Sequence, residues 1–185
     1  MTTNPASAVV IESYLAVADR EHLIAGLDAI FFEASNTQSF ASDDARAAFR
    51  MRWLGRYLDH DARWAYVACT PSGAIAGYLV GSLDDPAVTQ RFSDIATVAQ
   101  FKDVTRRYPA HLHVNLAAEF RSYGLGARLV EHFLRDAKAA GAPGVHVVTS
   151  RGARNVAFYN RLGFAERGAA DQGAREVVLL ARALP

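Results

Sequence analysis

His111-Leu112-His113-Val114-Asn115-Leu116-Ala117-Ala118-Glu119-Phe120-Arg121-Ser122-Tyr123-Gly124-Leu125-Gly126 is the stretch whose reading decides the fold. Up to Leu116 polar and apolar residues alternate, which is the two-residue period of a strand. A short polar turn follows. From Gly124 onward Leu125, Leu129, Phe133, Leu134 and Ala137 recur at helical spacing. A glycine-rich turn feeding a helix start is an anion-binding device, because backbone N–H groups point outward there and the helix dipole adds partial positive charge. A phosphate-bearing ligand is therefore the first candidate. A tight helix start with no ligand is the plain alternative. No lysine follows Gly126, so the stretch is not a P-loop. Leu129 stands where a dinucleotide-binding fingerprint needs its third glycine.

Working outward, residues 1–7 read as a loose tail and Val9 to Val17 as a first strand. Asp19 caps a helix whose apolar face is Leu23, Leu27, Ile30, Phe31 and Ala34, and the polar cluster Ser35 to Ser39 ends it. Ser42, Asp43 and Asp44 start another helix, carrying Phe49, Trp53 and Tyr57 among arginines. That aromatic stripe either faces the core or lines an acceptor groove. Trp64 to Thr70 and Ala74 to Leu83 form a hairpin around Pro71-Ser72-Gly73. Residues 86–108 are a helical excursion, stopped by Pro109. After the focal helix, which Gly141 ends, come a strand at Val145 to Thr149 and a helix at Ala153 to Leu162. A short strand at Phe164 to Arg167, a turn at Ala169 to Gly173 and a last strand at Glu176 to Ala181 complete the chain. The order predicts a mixed α/β (α+β) fold in a single domain, 1–185.

The chain has 185 residues, 51% of them hydrophobic and 21% charged, with a net charge of +1. That fits a globular protein with a real core and lacks the basic excess of a nucleic-acid binder. The lone cysteine, Cys69, excludes an internal disulfide and fits a reducing cytoplasm. No basic stretch followed by an apolar core opens the chain, and no apolar run approaches the ~20 residues of a membrane span. The expected setting is cytoplasmic, with no nucleic-acid or membrane partner, as a monomer or homodimer.

Two motifs together narrow the ligand. Arg121-Ser122-Tyr123-Gly124-Leu125-Gly126 resembles the Arg/Gln-x-x-Gly-x-Gly/Ala motif of the GCN5-related N-acetyltransferase (GNAT) superfamily. Val156 to Phe164, with Tyr159 and Gly163-Phe164, resembles that superfamily's second signature, one strand downstream. Tyr108 to His113 looks like the branch related to the acetyltransferase-like domain of O-GlcNAc hydrolases. The resemblance implies a twisted, mostly antiparallel sheet of about six or seven strands, helices on both faces, and a splayed cleft between two central parallel strands. It implies acetyl-CoA, with the pyrophosphate on Arg121, Ser122, Tyr123, Gly124, Leu125, Gly126 and Ala127. The pantetheine arm would run along Asn115, Leu116 and Ala117, near Asn155 and Phe158. The superfamily's usual asparagine falls at Gly152 here, a departure that affects one cofactor contact.

Acetyl transfer to an amine needs the amine deprotonated and the leaving thiolate protonated. Tyr159 matches the superfamily's thiolate-protonating residue; its plain alternative is packing. His113, and less so His111, are candidate bases, since imidazole exchanges protons near neutral pH; both also read as structural histidines. Two histidines at i, i+2 without an evident third ligand make no metal site. The resulting expectation is an acetyl-CoA-dependent N-acetyltransferase using direct transfer in a ternary complex, on a small-molecule or peptide amine. The alternative is a non-catalytic CoA- or peptide-binding module. The excursion at 86–108 is the expected acceptor-side lid.

Overall fold

The computed structural model describes residues 4–173 and 175–185. Its seven strands, β1 (Val10–Ser13), β2 (Ala65–Cys69), β3 (Ile75–Ser82), β4 (Ala110–Leu116), β5 (Gly144–Ser150), β6 (Ala165–Gln172) and β7 (Arg175–Ala183), form one sheet in the hydrogen-bonded order β1-β2-β3-β4-β5-β7-β6, mostly antiparallel, with β4 and β5 the parallel pair. The chain divides into two compact units, residues 1–81 with 113–133, and residues 82–112 with 134–185.

The first unit begins with β1 (Val10–Ser13). The expected strand over Val9–Val17 is shorter because the Ser13 hydroxyl accepts the Leu15 N–H and bends Tyr14–Ala16 into a 3-10 turn. Residues 4–7, expected as loose tail, are also ordered. Ala6 is buried, and the Arg128 guanidinium donates to the carbonyls of Ala6 (3.0 Å) and Val9 (2.7 Å). Residues 1–3 of that expected tail lie outside the described residues.

Helix α1 (Arg20–Ala34) is capped by Asp19, which accepts the His22 N–H at 3.0 Å. Its buried face is Leu23, Leu27, Ile30 and Phe31. Helix α2 (Asp43–Arg50) is capped by Ser42 at the Ala45 N–H. It continues through a π turn, Met51–Gly55, into α3 (Arg56–His60). Strands β2 (Ala65–Cys69) and β3 (Ile75–Ser82) make the expected antiparallel hairpin, and both are largely buried. The unit closes with the end of β4 (Ala110–Leu116), a 3-10 turn at Ala118–Phe120 and the start of α6 (Leu125–Ala139).

The second unit holds two short helices, α4 (Ala96–Ala99) and α5 (Lys102–Thr105), then the start of β4 and the end of α6. It continues with β5 (Gly144–Ser150), α7 (Arg154–Arg161), β6 (Ala165–Gln172) and β7 (Arg175–Ala183). The excursion expected as a lid contributes to the core. Phe101 packs with Val177, Leu179 and Ala181, flanked by Val104 and Tyr108, and Phe92 and Thr105 are buried as well. Apolar side chains seated in this way cannot swing out at low cost. The turn expected at Ala169–Gly173 is mostly strand. Its residues have weak strand propensity, but pairing with β7 from Ala165↔Ala181 to Gln172↔Arg175, through a bulge at Glu166/Gly168, holds them extended.

His146, in β5, is a buried histidine whose Nδ1–H donates to the Tyr108 carbonyl at 2.5 Å. Burial pushes its pKa down to about 4, only partly offset by that bond and by Asp85. The unfolded chain therefore binds a proton that the folded chain refuses between pH ~6.5 and ~4. Stability falls as pH drops through that window, by up to about 3 kcal/mol. His146→Asn keeps a donor for the carbonyl and cannot titrate. Denaturant midpoints measured from pH 7 to 4 should then fall less steeply than in the wild type, and an unchanged slope would clear His146.

Candidate active site

The focal stretch folds as strand, turn and helix start, with its first two residues, His111 and Leu112, in the second unit and the rest in the first. The parallel ladder of β4 with β5 comprises Ala110↔Val145 and His111↔His146. Past these, β4 is held through β3, where the Ala117 N–H donates to the Ala76 carbonyl at 3.0 Å. Asn115 Nδ2 donates to the Tyr78 hydroxyl at 2.9 Å, and burial raises the Tyr78 pKa. The Leu116 carbonyl accepts from Arg121 Nε at 3.0 Å, and Arg121 Nη2 also meets Glu33 Oε1 at 2.9 Å. Arg121 thus braces the loop to α1.

Ser122 and Gly124 adopt left-handed backbone, with φ of 69° and 82°. Such geometry disfavours a side chain, most of all a β-branched one. A Cβ built on Gly124 would meet nothing within 4 Å, so the space above it is open. The first α6 bond runs from the Arg128 N–H to the Gly124 carbonyl. The N–H groups of Leu125, Gly126 and Ala127 therefore have no carbonyl partner inside the helix. An open loop turned by two left-handed residues at the dipole-positive end of a 15-residue helix suits a diphosphate. Tyr123, half-exposed, stands at its rim.

His113, on the same stretch of β4, sits against two aromatic rings. The Tyr57 hydroxyl lies 3.2 Å from its Nε2, and the Trp53 and Tyr57 rings meet it edge-on at 5.6 Å and 5.3 Å. Tyr57 itself is fully buried. So the aromatic stripe divides, with Tyr57 in the core and Trp53 at the wall of a cavity of about 310 Å3 that Asn115 also lines. The two partnerships, Tyr57 with His113 and Tyr78 with Asn115, join residues far apart in sequence and have no local signal.

The second unit holds the remaining predicted residues. His111 is buried, with its ring 4.9 Å from Phe92 and 5.5 Å from His146. Asn155, at the start of α7, is exposed, and its Oδ1 accepts the Thr149 hydroxyl at 2.8 Å. Tyr159 is buried between the rings of Phe158 (5.0 Å) and Phe164 (5.4 Å), and burial raises its pKa, keeping the phenol protonated. Back in the first unit, burial, with the Glu12 carboxylate, pushes the Cys69 thiol up to about 11, which keeps it protonated at neutral pH. Among the described residues, no group of three or more His, Cys, Asp or Glu could hold a metal, and no helix is long and apolar enough to cross a membrane.

Solved structures share this fold. The crystal structure of SsHAT matches with a TM-score of 0.72 at 21% identity, covering 96% of this chain and 99% of that one. An N-acetyltransferase from Staphylococcus aureus Mu50 matches at 0.65 and 15%, covering 97% and 100%. A chain of the NatC complex bound to Gag peptide and CoA matches at 0.65 and 12%, covering 96% and 99%. Residues 29–164, which contain the loop, β4 and α7, match the acetyltransferase (GNAT) family, and the chain belongs to that family.

Proposed function

We propose that the protein is an acetyl-CoA-dependent N-acetyltransferase, a single domain over residues 1–185, that transfers the acetyl group directly to an amine in a ternary complex in a cytoplasmic setting. The observation that carries this reading is the open, left-handed loop at the start of α6 in a chain of the GNAT family. A nearer kinship with the acetyltransferase-like domain of O-GlcNAc hydrolases, on Tyr108 to His113, is part of the same proposal.

The backbone N–H groups from Arg121 to Ala127 hold the diphosphate. The Arg121 guanidinium contributes less than its charge suggests, since Glu33 and the Leu116 carbonyl already engage it. The strand edge at Asn115, Leu116 and Ala117 pairs with the pantetheine amides; the two-pair ladder to β5 supports this. Asn155 and Phe158 flank the arm. Acetyl-CoA supplies an activated thioester carbonyl. His113 takes the amine's proton, and it is preferred to His111, whose ring is buried against Phe92 and His146. Tyr159, a buried phenol that is protonated at neutral pH, gives its proton to the departing thiolate. The N–C bond forms as the C–S bond breaks, giving N-acetyl amine and CoA thiol.

Calorimetric titration with acetyl-CoA, paired with thiol release over an amine panel, tests the reading. Absence of acetyl-CoA and CoA binding would sink it, whereas binding without release for any acceptor would point to a non-catalytic module. Gly124→Val should weaken acetyl-CoA binding about tenfold or more. The β-branched side chain either forces the loop out of its left-handed turn or fills the open space, and a tenfold loss corresponds to ~1.4 kcal/mol. Normal affinity in that variant would mean the loop is not the cradle.

A further inference from the structure

The cavity that Trp53 and Asn115 line has a chemistry of its own. Its walls include Phe31, Phe49 and Trp53, and the Phe31 and Phe49 rings lie 5.4 Å apart in a tilted pair. Its polar lining is neutral: Ser35, Asn36, Thr37 and Asn115. None of the described lining residues carries a formal charge. Asp28, on helix α1, is paired with Arg50 Nε at 2.7 Å and is not among the lining residues. Asn115 spends its amide N–H on Tyr78, which leaves its carbonyl oxygen as the amide's acceptor. At about 310 Å3 the cavity lies at the small end of ligand sites.

We propose that this cavity takes the acyl acceptor and that the acceptor is a small arylalkylamine, a primary amine on an aromatic body. The inference rests on the acetyltransferase reading and adds the substrate class. The ring of the amine packs against Phe31, Phe49 and Trp53 in the offset or edge-on arrangements aromatic pairs prefer. The amine N–H donates to Asn115 Oδ1. His113, with the Trp53 indole edge-on at 5.6 Å, takes the proton that the nitrogen loses as the N–C bond forms and the thioester C–S bond breaks. A polyamine finds no carboxylate for its second charge in this lining.

The test is CoA thiol release with 2-phenylethylamine, tryptamine, hexylamine, spermidine and a peptide with a free N-terminus. The expected result is a kcat/KM for the two arylalkylamines at least tenfold above the other three. Trp53→Ala should raise KM for 2-phenylethylamine about tenfold, more than it lowers kcat, while acetyl-CoA affinity by titration stays at the wild-type value. Trp53→Leu, which keeps apolar volume without the ring, should fall between, and it serves if the alanine variant folds poorly. Preference for spermidine, hexylamine or the peptide, no release with any amine, or an unchanged KM in both Trp53 variants overturns the substrate class. The acetyl-CoA titration separates the two failures, since loss of acetyl-CoA binding in the wild type removes the acetyltransferase reading itself.

Discussion

Tyr159→Phe is expected to lower kcat by about a hundredfold or more, the usual contribution of a positioned general acid, while acetyl-CoA binds as in the wild type. The substitution removes one oxygen and keeps the ring packed between Phe158 and Phe164. The rate change therefore reports the proton and not the fold. The departing thiolate must then take its proton from water, so the loss should be greatest with the least acidic leaving thiol. Calorimetric titration and steady-state thiol release on the same preparation separate binding from turnover. An unaltered rate removes Tyr159 from the mechanism and leaves it as a packing residue.

Gly77→Val should be strongly destabilising. A Cβ on Gly77 would lie 2.4 Å from Leu116 Cδ2 and 2.9 Å from the Asn115 carbonyl oxygen. The leucine can rotate away, but the backbone oxygen cannot move without moving β4. Overpacking of this kind costs about 3 kcal/mol, and the β-branched side chain adds to it. The variant should unfold at lower urea concentration. Because the displaced backbone is the Asn115 to Ala117 edge, acetyl-CoA affinity should fall in the protein that remains folded. A wild-type midpoint would show that β3 and β4 part there without cost.

Much of this was legible in the chain because its causes are local. The Asp19 and Ser42 caps act over three residues. The β2–β3 hairpin follows from alternation around Pro71-Ser72-Gly73, and Gly124 marks its left-handed turn by being glycine. What was not legible depends on partners distant in sequence. Nothing near Ala169 announces a strand, since only β7 makes it one. The excursion at 86–108 carries the same apolar spacing whether it closes over a cleft or seats Phe101 against Val177 and Leu179. His113 acquires its hydrogen-bonding neighbour from Tyr57, 56 residues earlier. Trp53 and Tyr57 share a stripe and both meet His113, yet only Tyr57 is in the core. The helical run that carries Trp53, between α2 and α3, is not a regular one.

That irregularity, the π turn at Met51–Gly55, ties local chemistry to chain length. Each residue of a regular helix advances the side chains by about 100°. A wide turn stores an extra residue without extending the helix by a full step. Deleting Met51 would remove the stored residue: the run could wind as plain α-helix while the side chains on either side keep their directions. The same deletion in a regular helix turns everything beyond it by about 100°. The π turn is therefore a place where this helical run can lose a residue with Trp53 and Tyr57 still directed at His113. Chain length is adjustable there at little cost to what the helix presents, and a few residues to either side it is not.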